Sequence, residues 1–343
     1  MIIKSLNLSD KSEMRKWDDF VRSHGHLYYD SRWAKILHSV FSFEPLYLYG
    51  EEDDAIVSVL PLFCVNKPFG GKEIVSIPHI EAGGLINTGS FKMYLDYLHD
   101  HVKANSVRIM QFMESLGDLS ANSNEVIIIK DLPPTTDEII DSVPTKRKRN
   151  YMRGSLRHPY ELVTGNDSAL FSTFYSLYLD KMRDFGTPPH SFRFFSAIRD
   201  AFGDTCTIIA VKDPTGEVIG AMLCVGYSHM FNCLTLVVPA SHLHNLAGYF
   251  IEYHVMAYAV SNGYTSLNRG RSEDKGSNYD YKVSLGGKPY PLHRYKFELT
   301  SDGYRCVEER TAKEKLRSLA QIWAKLPPVI TDNIGPLIRK WVY

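Results

Sequence analysis

The chain has 343 residues, enough for about two domains of ~150 residues each. Hydrophobic residues make up 44% and charged residues 23% of it, which is ordinary for a soluble globular protein. Lys and Arg together number 39, as do Asp and Glu, so the net charge is zero, which argues against a DNA-coating protein.

Residues 1–145 are predicted to form one mixed unit of helices and strands. Ser9 or Asp10 can cap the first helix, with Glu13 at capping-box distance from Asp10. In chain order the predicted elements are helices at 10–20 and 31–41, strands at 45–49, 55–65 and 73–77, a helix at 90–104, and strands at 107–112 and 125–129.

Residues 146–305 repeat this order of helices, a three-strand meander, a helix and further strands. We therefore predict an α/β (α+β) fold with two related domains, at 1–145 and 146–305, and a mainly helical tail at 306–343 that is broken by prolines. The elements of the second half are helices at 146–157, 168–183, 192–202 and 245–261, and strands at 160–163, 206–212, 218–227, 230–238, 266–268 and 290–299.

Cysteine usage and hydropathy indicate a cytoplasmic protein. The five cysteines are scattered and form no CxxC pair, which favours reduced thiols over a disulfide framework or a zinc site. The N-terminal residues lack the apolar core of a signal peptide, and there is no run of 18 apolar residues, so neither a leader nor a transmembrane helix is expected.

The chain lacks the motifs of several common enzyme classes. It has no GxxxxGK[ST], no GxGxxG after a strand, no HExxH and no GxSxG, which disfavours phosphate-loop, Rossmann, zincin and serine hydrolase chemistry. His242, His244 and His254 suggest a metal site, but only Glu252 stands at ligand spacing. A polar entry to a helix is the favoured interpretation, so no metal site is predicted.

The stretch at 268–299 concentrates the residues best suited to chemistry. Arg269 and Arg271 flank Gly270, where glycine permits close backbone approach and arginine binds carboxylate or phosphate through two hydrogen bonds. The Tyr281-Lys282 pair can stack on a substrate and aim an ammonium at a developing oxyanion. The alternative is a hairpin whose charges face water; the functional interpretation is favoured.

Two other segments are candidates for binding. The loop at 182–190 mixes a charged pair, a glycine, two prolines and His190; the alternative is a structural turn at Arg183 with a buried Phe185. The basic helix at 146–157 can meet phosphates of a substrate or of RNA, or it can be a solvated linker between domains, and both interpretations stay open.

Several segments, taken in order, resemble the FemAB-like branch of the GNAT-fold acyltransferases, which includes enzymes that add amino acids to peptidoglycan precursors and relatives encoded with exopolysaccharide systems. The resemblance runs nearly end to end, although no single motif is as specific as a zinc signature. It rests on Trp33, VLPL at 59–62, Pro78, Gly83-Gly84, KRKRNYMRG at 146–154, MRDFGTPPH at 182–190, Phe194-Phe195, NRGRS at 268–272, YDYK at 279–282, GGKPYPL at 286–292 and IWAKLPPVITDNIGPLIRKW at 322–341.

The resemblance implies two tandem GNAT-like domains. In the peptidoglycan enzymes the donor is an aminoacyl-tRNA, and the lysine of an aromatic-lysine pair, matched here by Tyr281 and Lys282, lies where the acyl group transfers. His190 stands where the muropeptide enzymes carry an arginine for a substrate phosphate, and the coiled-coil arm of some tRNA-using members is absent. The segment at 241–250 does not match the loop that holds the pyrophosphate of coenzyme A, so the donor stays open between acyl-CoA and aminoacyl-tRNA.

These observations predict an N-acyltransferase that acts on an amine of a cell-envelope or polysaccharide precursor, such as an amine-bearing glycan or a muropeptide-like acceptor, without a tightly bound cofactor. Lys282 is predicted to stabilise the oxyanion and His190 to accept the proton of the amine. Substrate binding is assigned to Tyr281, Arg269, Arg271, Arg183, Ser272 and Thr187. The alternative is a non-catalytic GNAT-like protein that binds glycan or phospholipid.

The tail supports two interpretations. An apolar stripe surrounded by basic residues can lie on a membrane surface and give the protein a peripheral membrane contact. Packing against the two domains is the favoured alternative. The stripe is formed by Leu316, Leu319, Ile322, Trp323 and Leu326.

Overall fold

The computed structural model describes residues 1–343 except 68–69, 88, 90, 120, 122–123, 243, 309–322, 324 and 343. By their internal contacts, these residues form two compact units. The first unit is Met1–Val126 with Tyr290–Thr311, and the second is Ile127–Pro289 with Ala312–Tyr343.

The first 131 residues carry six strands and three helices, all within the described part of the chain. They are β1 (Ile2–Ser5), α1 (Lys11–His24), α2 (Arg32–Phe41), β2 (Glu44–Glu52), β3 (Ala55–Asn66), β4 (Lys72–Ser76), α3 (Phe91–His101), β5 (Ser106–Phe112) and β6 (Glu125–Asp131).

The remaining described elements begin with the basic helix. They are α4 (Lys146–Ser155), β7 (Glu161–Gly165), α5 (Ser168–Asp184), α6 (Phe192–Phe202), β8 (Cys206–Lys212), β9 (Val218–Tyr227), β10 (Met230–Val237), α7 (Ala247–Ser261), β11 (Ser266–Glu273), α8 (Ser277–Ser284), β12 (Lys288–Thr300), β13 (Gly303–Val307) and α9 (Pro328–Arg339).

In the first unit the strand order is β1-β2-β3-β4-β5-β12, and β13 pairs with β12. The β4–β5 pair is parallel, and helix α3 forms the crossover that such a pair requires. Helix α1 begins at Asp10, whose carboxylate accepts hydrogen bonds from the backbone N–H groups of Ser12 and Glu13, as the capping pattern predicts. It buries Trp17 and Val21 completely, so the amphipathic pattern anchors it to the core of this unit.

In the second unit the strand order is β6-β11-β10-β9-β8-β7. Strands β8, β9 and β10 form the predicted antiparallel meander, and α7 connects β10 to the parallel strand β11. Alternate residues of β8, such as Ile209 and Val211, join the core under α7. Helices α5 and α6 pack against the meander too, and the pleat places them on the opposite face.

The fold class is the one predicted, but the units differ from the predicted contiguous domains. Strand β12 was assigned to the second domain, whereas it pairs antiparallel with β5 of the first unit, from Leu292 opposite Phe112 to Glu298 opposite Ser106. Residues 127–145, which were assigned to the first domain, belong to the second unit. The periodicity of apolar residues along the chain reports local structure and not the pairing of distant strands. A division of the sequence into two contiguous domains therefore does not show that β12 lies in the first unit.

The structure also corrects local predictions. Residues 277–284 form helix α8 where a loop was predicted, because two helical turns are too short for a clear periodic signal. The predicted break at Pro336 is wrong: α9 runs through it from Pro328 to Arg339. Proline removes one backbone hydrogen bond, and the neighbouring turns of this helix still form.

The tail packs at least in part on the second unit. Thr331 and Gly335 of α9 are buried, and Arg183 of α5 forms an ion pair of 3.2 Å with Asp332. Of the predicted apolar stripe, Leu316, Leu319 and Ile322 lie outside the described residues. Across the described ranges, no helix combines the length and the apolar character needed to cross a bilayer.

Candidate active site

A bend in β11 organises the candidate residues. Gly270 has a φ of 74°, a left-handed conformation that favours glycine. The side-chain oxygen of Asn268 accepts the N–H of Gly270 at 2.9 Å, and its amide donates to the buried Asn232 at 3.1 Å. In a regular strand Arg269 and Arg271 would share one face. The bend breaks that alternation, so the two arginines acquire different surroundings.

Lys282 is held at this bend. It lies in α8, and its Nζ donates to the carbonyl oxygens of Gly270 at 3.2 Å and Arg271 at 2.9 Å. Two of the three N–H donors of the ammonium are therefore directed by backbone atoms. The sequence predicted a fixed cation in this stretch, and the structure shows how the backbone positions it.

Tyr281 points away from Lys282 into the space between α4, α7 and β11. Its ring centre is 5.9 Å from that of Tyr249, 5.8 Å from the Arg269 guanidinium carbon and 5.1 Å from the Nζ of Lys148. Burial, and next the negative charge of Glu252, raise the pKa of Tyr281 well above its usual value. The phenol therefore stays protonated, and its ring supports α8 from the core side.

Arg269 forms a buried ion pair with Glu252 of α7. Their side chains are 4% and 2% exposed, which is close to complete exclusion from water. Arg269 was predicted to hold a substrate anion, and the structure gives it an anionic partner within the chain. Sequence reasoning considered Glu252 only as a metal ligand, and its one local signal was an acidic residue on an otherwise apolar helix.

The basic helix α4 has several contacts within its own unit. Lys148 donates to the hydroxyl of Tyr249 at 2.8 Å, Arg149 donates to the carbonyl of Val143 at 2.6 Å, and Arg153 pairs with Asp141 at 3.0 Å. These contacts give the helix a structural role that neither of the open sequence interpretations included.

Lys130 of β6 is a buried cation that the sequence analysis overlooked. Its Nζ donates to the carbonyl of Ser142 at 3.1 Å. Burial, and next the positive charge of Arg269, lower its pKa from 10.5 to about 8. The signal was a single lysine after the apolar run at 126–129.

The pKa of Lys130 predicts a pH-dependent stability. Because the folded pKa lies below the unfolded one, the unfolded chain holds a proton that the folded chain has released between about pH 8 and 10.5, and stability rises with pH there. Relative to Lys130→Met, the wild type should gain roughly 3 kcal/mol of unfolding free energy across this window. Urea unfolding of the wild type and of Lys130→Met at pH 7.5 and at pH 10 measures the stability difference between the two proteins. If that difference is the same at both pH values, the lowered pKa of Lys130 is contradicted.

His190 occupies a different setting from the one predicted. Its ring stacks on Phe194 with centres 4.4 Å apart, its backbone N–H donates to the hydroxyl of Tyr178 at 3.0 Å, and its Nε2 accepts from the Nε of Arg339 at 3.2 Å. A nitrogen that accepts a hydrogen bond has its lone pair engaged. Proton transfer to this atom therefore requires Arg339 to move away first.

Three other predicted binding residues, Arg183, Thr187 and Ser272, are paired or at least half-buried. Arg183 pairs with Asp332 and Asp180, so it helps to dock α9. Thr187 is half-buried in the loop after α5, and Ser272 is buried in β11. Phe185 is 56% exposed, so the alternative of a turn with a buried Phe185 is wrong.

Residues 145–283 match the acetyltransferase (GNAT) domain family. This segment of the chain is similar to a GNAT domain. No match was found among curated protein sequences. The predicted resemblance to FemAB-like GNAT-fold proteins is confirmed by this domain and by the fold of the whole chain.

Solved structures extend the fold beyond the GNAT domain. A crystal structure of FemX is similar with a TM-score of 0.69 at 14% identity, over 87% of this chain and 98% of that one. L-PGS from Bacillus licheniformis gives 0.55 at 11% identity, over 92% and 98%. A tandem GNAT protein from the clavulanic acid biosynthesis pathway gives 0.52 at 12% identity, over 87% and 98%. At these identities the likeness shows a shared tandem fold.

The GNAT domain contains every predicted site residue, but the bend at Gly270 separates them. Arg269 and Tyr281 lie on the α7 side, whereas His190 and Arg183 contact α9.

Among the residues that the structure describes, no group of three His, Cys, Asp or Glu side chains is arranged to hold a metal ion. Of the histidines that the sequence analysis weighed and set aside as metal ligands, His242 contacts Asn245, and the ring of His254 lies 4.3 Å from that of Phe250.

Proposed function

We propose that the protein is an N-acyltransferase that moves an acyl or aminoacyl group to an amine of a cell-envelope or polysaccharide precursor. The observation that carries this proposal is the ammonium of Lys282, fixed by two carbonyl groups at the bend of β11 within a GNAT domain. The tandem fold shared with FemX and L-PGS supports acyl or aminoacyl transfer in this setting.

In the proposed reaction, the amine nitrogen bonds to the carbonyl carbon of the donor, and the carbonyl oxygen takes up negative charge. Lys282 stabilises this oxyanion because its position is fixed before the reaction begins. The intermediate then expels a thiolate if the donor is an acyl-CoA, or a ribose alkoxide, which takes up a proton, if it is an aminoacyl-tRNA. His190 accepts the amine proton after Arg339 has left its Nε2.

Tyr281 shapes the site through α8, while Arg271, Ser272 and Thr187 contact the substrate directly.

The main experiment is mass spectrometry of the purified full chain for co-purified acyl-CoA, aminoacyl-tRNA or nucleotide sugar. A bound donor supports transfer and identifies its class, whereas a glycan or phospholipid bound without any donor favours the non-catalytic alternative.

We propose that the protein works in the cytoplasm, with peripheral contact to the inner membrane face through its tail. Helix α9 buries Thr331 and Gly335 and exposes apolar side chains on its outer side, namely Val329, Ile330, Ile334, Leu337 and Ile338. Such a surface suits the interfacial region of a bilayer. Flotation with anionic liposomes should carry the full chain upward and leave a chain without residues 306–343 behind. Absence of flotation for both would contradict the contact.

A further inference from the structure

The turn that follows α8 packs against β6 at two glycines. Gly286 has a φ of 95°, a left-handed conformation that favours glycine. A Cβ at Gly286 would lie 2.6 Å from the Nζ of Lys130, and a Cβ at Gly287 would overlap with the Cγ2 of Ile128. Non-bonded heavy atoms pack at about 3.5–4.0 Å, so a side chain at either glycine would push the turn away from β6.

This turn also ends α8 at Lys282. The carbonyl oxygen of Lys282 accepts the N–H groups of Leu285 at 3.3 Å and of Gly287 at 3.2 Å. None of the eight described residues of α8 is fully buried, whereas Leu285 directly after it is. A helix of two turns is too short to be stable by itself. The position of α8 therefore depends on the elements that it packs against.

Lys130 fixes the surface that receives this turn. Its side chain is almost completely buried, and its Nζ donates to the carbonyl of Ser142 at 3.1 Å. The same carbonyl oxygen lies 3.3 Å from the Cβ position of Gly286. Arg149 of α4 donates to the next two carbonyls along the chain, at 2.6 and 3.1 Å. Residues 142–144 are therefore held both from β6 and from α4, and the turn after α8 packs against them.

Packing alone does not explain a lysine at this position. A buried amine costs stability, and an apolar side chain would fill the same space without that cost. An apolar side chain would lack the hydrogen bond to Ser142, which fixes the segment against which Gly286 packs. The contribution specific to Lys130 is thus to hold the support of α8 in place.

We propose that Lys130, together with Gly286 and Gly287, positions the last turn of α8 and thereby the ammonium of Lys282. Strands β6 and β11 are neighbours in the sheet, and β11 carries the two carbonyl groups that hold this ammonium. The backbone of Lys282 is thus held against one strand and its Nζ against the next. This assignment rests on the proposed function because it concerns the same reaction centre, and Lys130 acts through α8 and not on the reacting atoms.

Trace labelling of the full chain with acetic anhydride at pH 7.5 tests the assignment without a substrate. Mass spectrometry of the digested protein reports how fast the amine of Lys282 is acetylated. Lys130→Met should raise this rate about 10- to 100-fold, because loss of a charged hydrogen-bond donor shifts local opening by about that factor. The melting temperature should not fall, since the variant no longer buries an amine. An unchanged rate at Lys282 would overturn the proposal.

The matched control is Lys212→Met. Lys212 is a partly exposed lysine of the same unit, at the end of β8, where it pairs with Glu161 at 3.6 Å. The same substitution there removes only a surface ion pair, so Lys282 should be acetylated at the wild-type rate. A rate raised as much as in Lys130→Met would show a general effect of losing a lysine and would overturn the proposal.

A compensating pair of substitutions separates positioning from a general loss of stability. Gly287→Ala drives a methyl group against the Cγ2 of Ile128, so it should also raise the acetylation rate of Lys282. Ile128→Leu removes that branch at nearly constant volume. The double variant should therefore return towards the wild-type rate. If the double variant is instead the most reactive of the three, the rate follows stability alone and the proposal is overturned.

Transfer assays distinguish this proposal from the proposed function. With an acceptor that the protein acylates, Lys130→Met should lower kcat about 10- to 100-fold and leave KM nearly unchanged, because a displacement of about 1 Å costs up to about a hundredfold in rate. An unchanged kcat beside faster labelling would overturn the role of Lys130 in the reaction. Faster labelling in a protein that transfers no acyl group supports the positioning of Lys282 and contradicts the proposed function.

Discussion

Substitution of Lys282 by alanine is expected to lower the rate of acyl transfer about 10²–10³-fold, the usual effect of losing one donor to an oxyanion. The effect should fall on kcat, with KM nearly unchanged, because the ammonium acts on charge that develops in the transition state. Initial rates with acetyl-CoA and with aminoacyl-tRNA, each paired with amine-bearing nucleotide sugars, measure it.

The control for this substitution is Lys288→Ala. Lys288 is an exposed lysine six residues further along, paired with Asp131 at 2.6 Å on the surface. Surface ion pairs contribute about 0–1 kcal/mol, so this variant should fold and react like the wild type. Near-normal turnover by a folded Lys282→Ala protein would rule out the role of Lys282 and favour a binding function without catalysis.

Substitution of Glu252 by glutamine is expected to lower the free energy of unfolding by about 3–5 kcal/mol. The change leaves the Arg269 guanidinium buried without its counter-charge, and a lone buried charge is far less stable than a paired one. Denaturant unfolding followed by tryptophan fluorescence measures the loss. Tyr281 of α8 contacts Arg269, so loss of the ion pair should also loosen α8. The fraction of Glu252→Gln protein that stays folded should therefore have a lower activity than the wild type.

A double substitution separates this effect from ordinary loss of packing. Glu252→Leu with Arg269→Met removes both charges and keeps the volume nearly filled, so it should recover most of the stability lost by the single change. Asp141→Asn, which removes the partner of Arg153 at the surface, should change stability by less than about 1 kcal/mol. Equal stability of Glu252→Gln and the wild type would show that the Arg269–Glu252 ion pair does not stabilise the fold.

Much of the fold is predictable from local sequence. The pattern of apolar residues located the meander from β8 to β10 and helices α5, α6 and α7, because these elements are long and regular. The missed elements are short or paired over long distances. Strands β1 and β13 have four and five residues, and the pairing of β12 with β5 joins segments about 180 positions apart.

The candidate site was predictable in its composition and less so in its arrangement. The sequence analysis singled out Lys282, and the structure shows its ammonium held by the carbonyl oxygens of Gly270 and Arg271. The alternation of a regular strand would place Arg269 beside Arg271, and only the backbone conformation of Gly270 shows that they diverge. Glu252 and Arg339 escaped attention because their importance comes from partners 17 and 149 positions away.

Product formation tests the central claim most directly. Purified full-length protein is incubated with acetyl-CoA or aminoacyl-tRNA and a panel of amine-bearing nucleotide sugars and muropeptides. The mass of each acceptor is then measured by mass spectrometry. The account predicts that one acceptor gains the mass of an acyl or aminoacyl group on its amine, and that Lys282→Ala reduces this product at least about a hundredfold. Acceptors of unchanged mass with every donor, from a protein that still binds them, would contradict it.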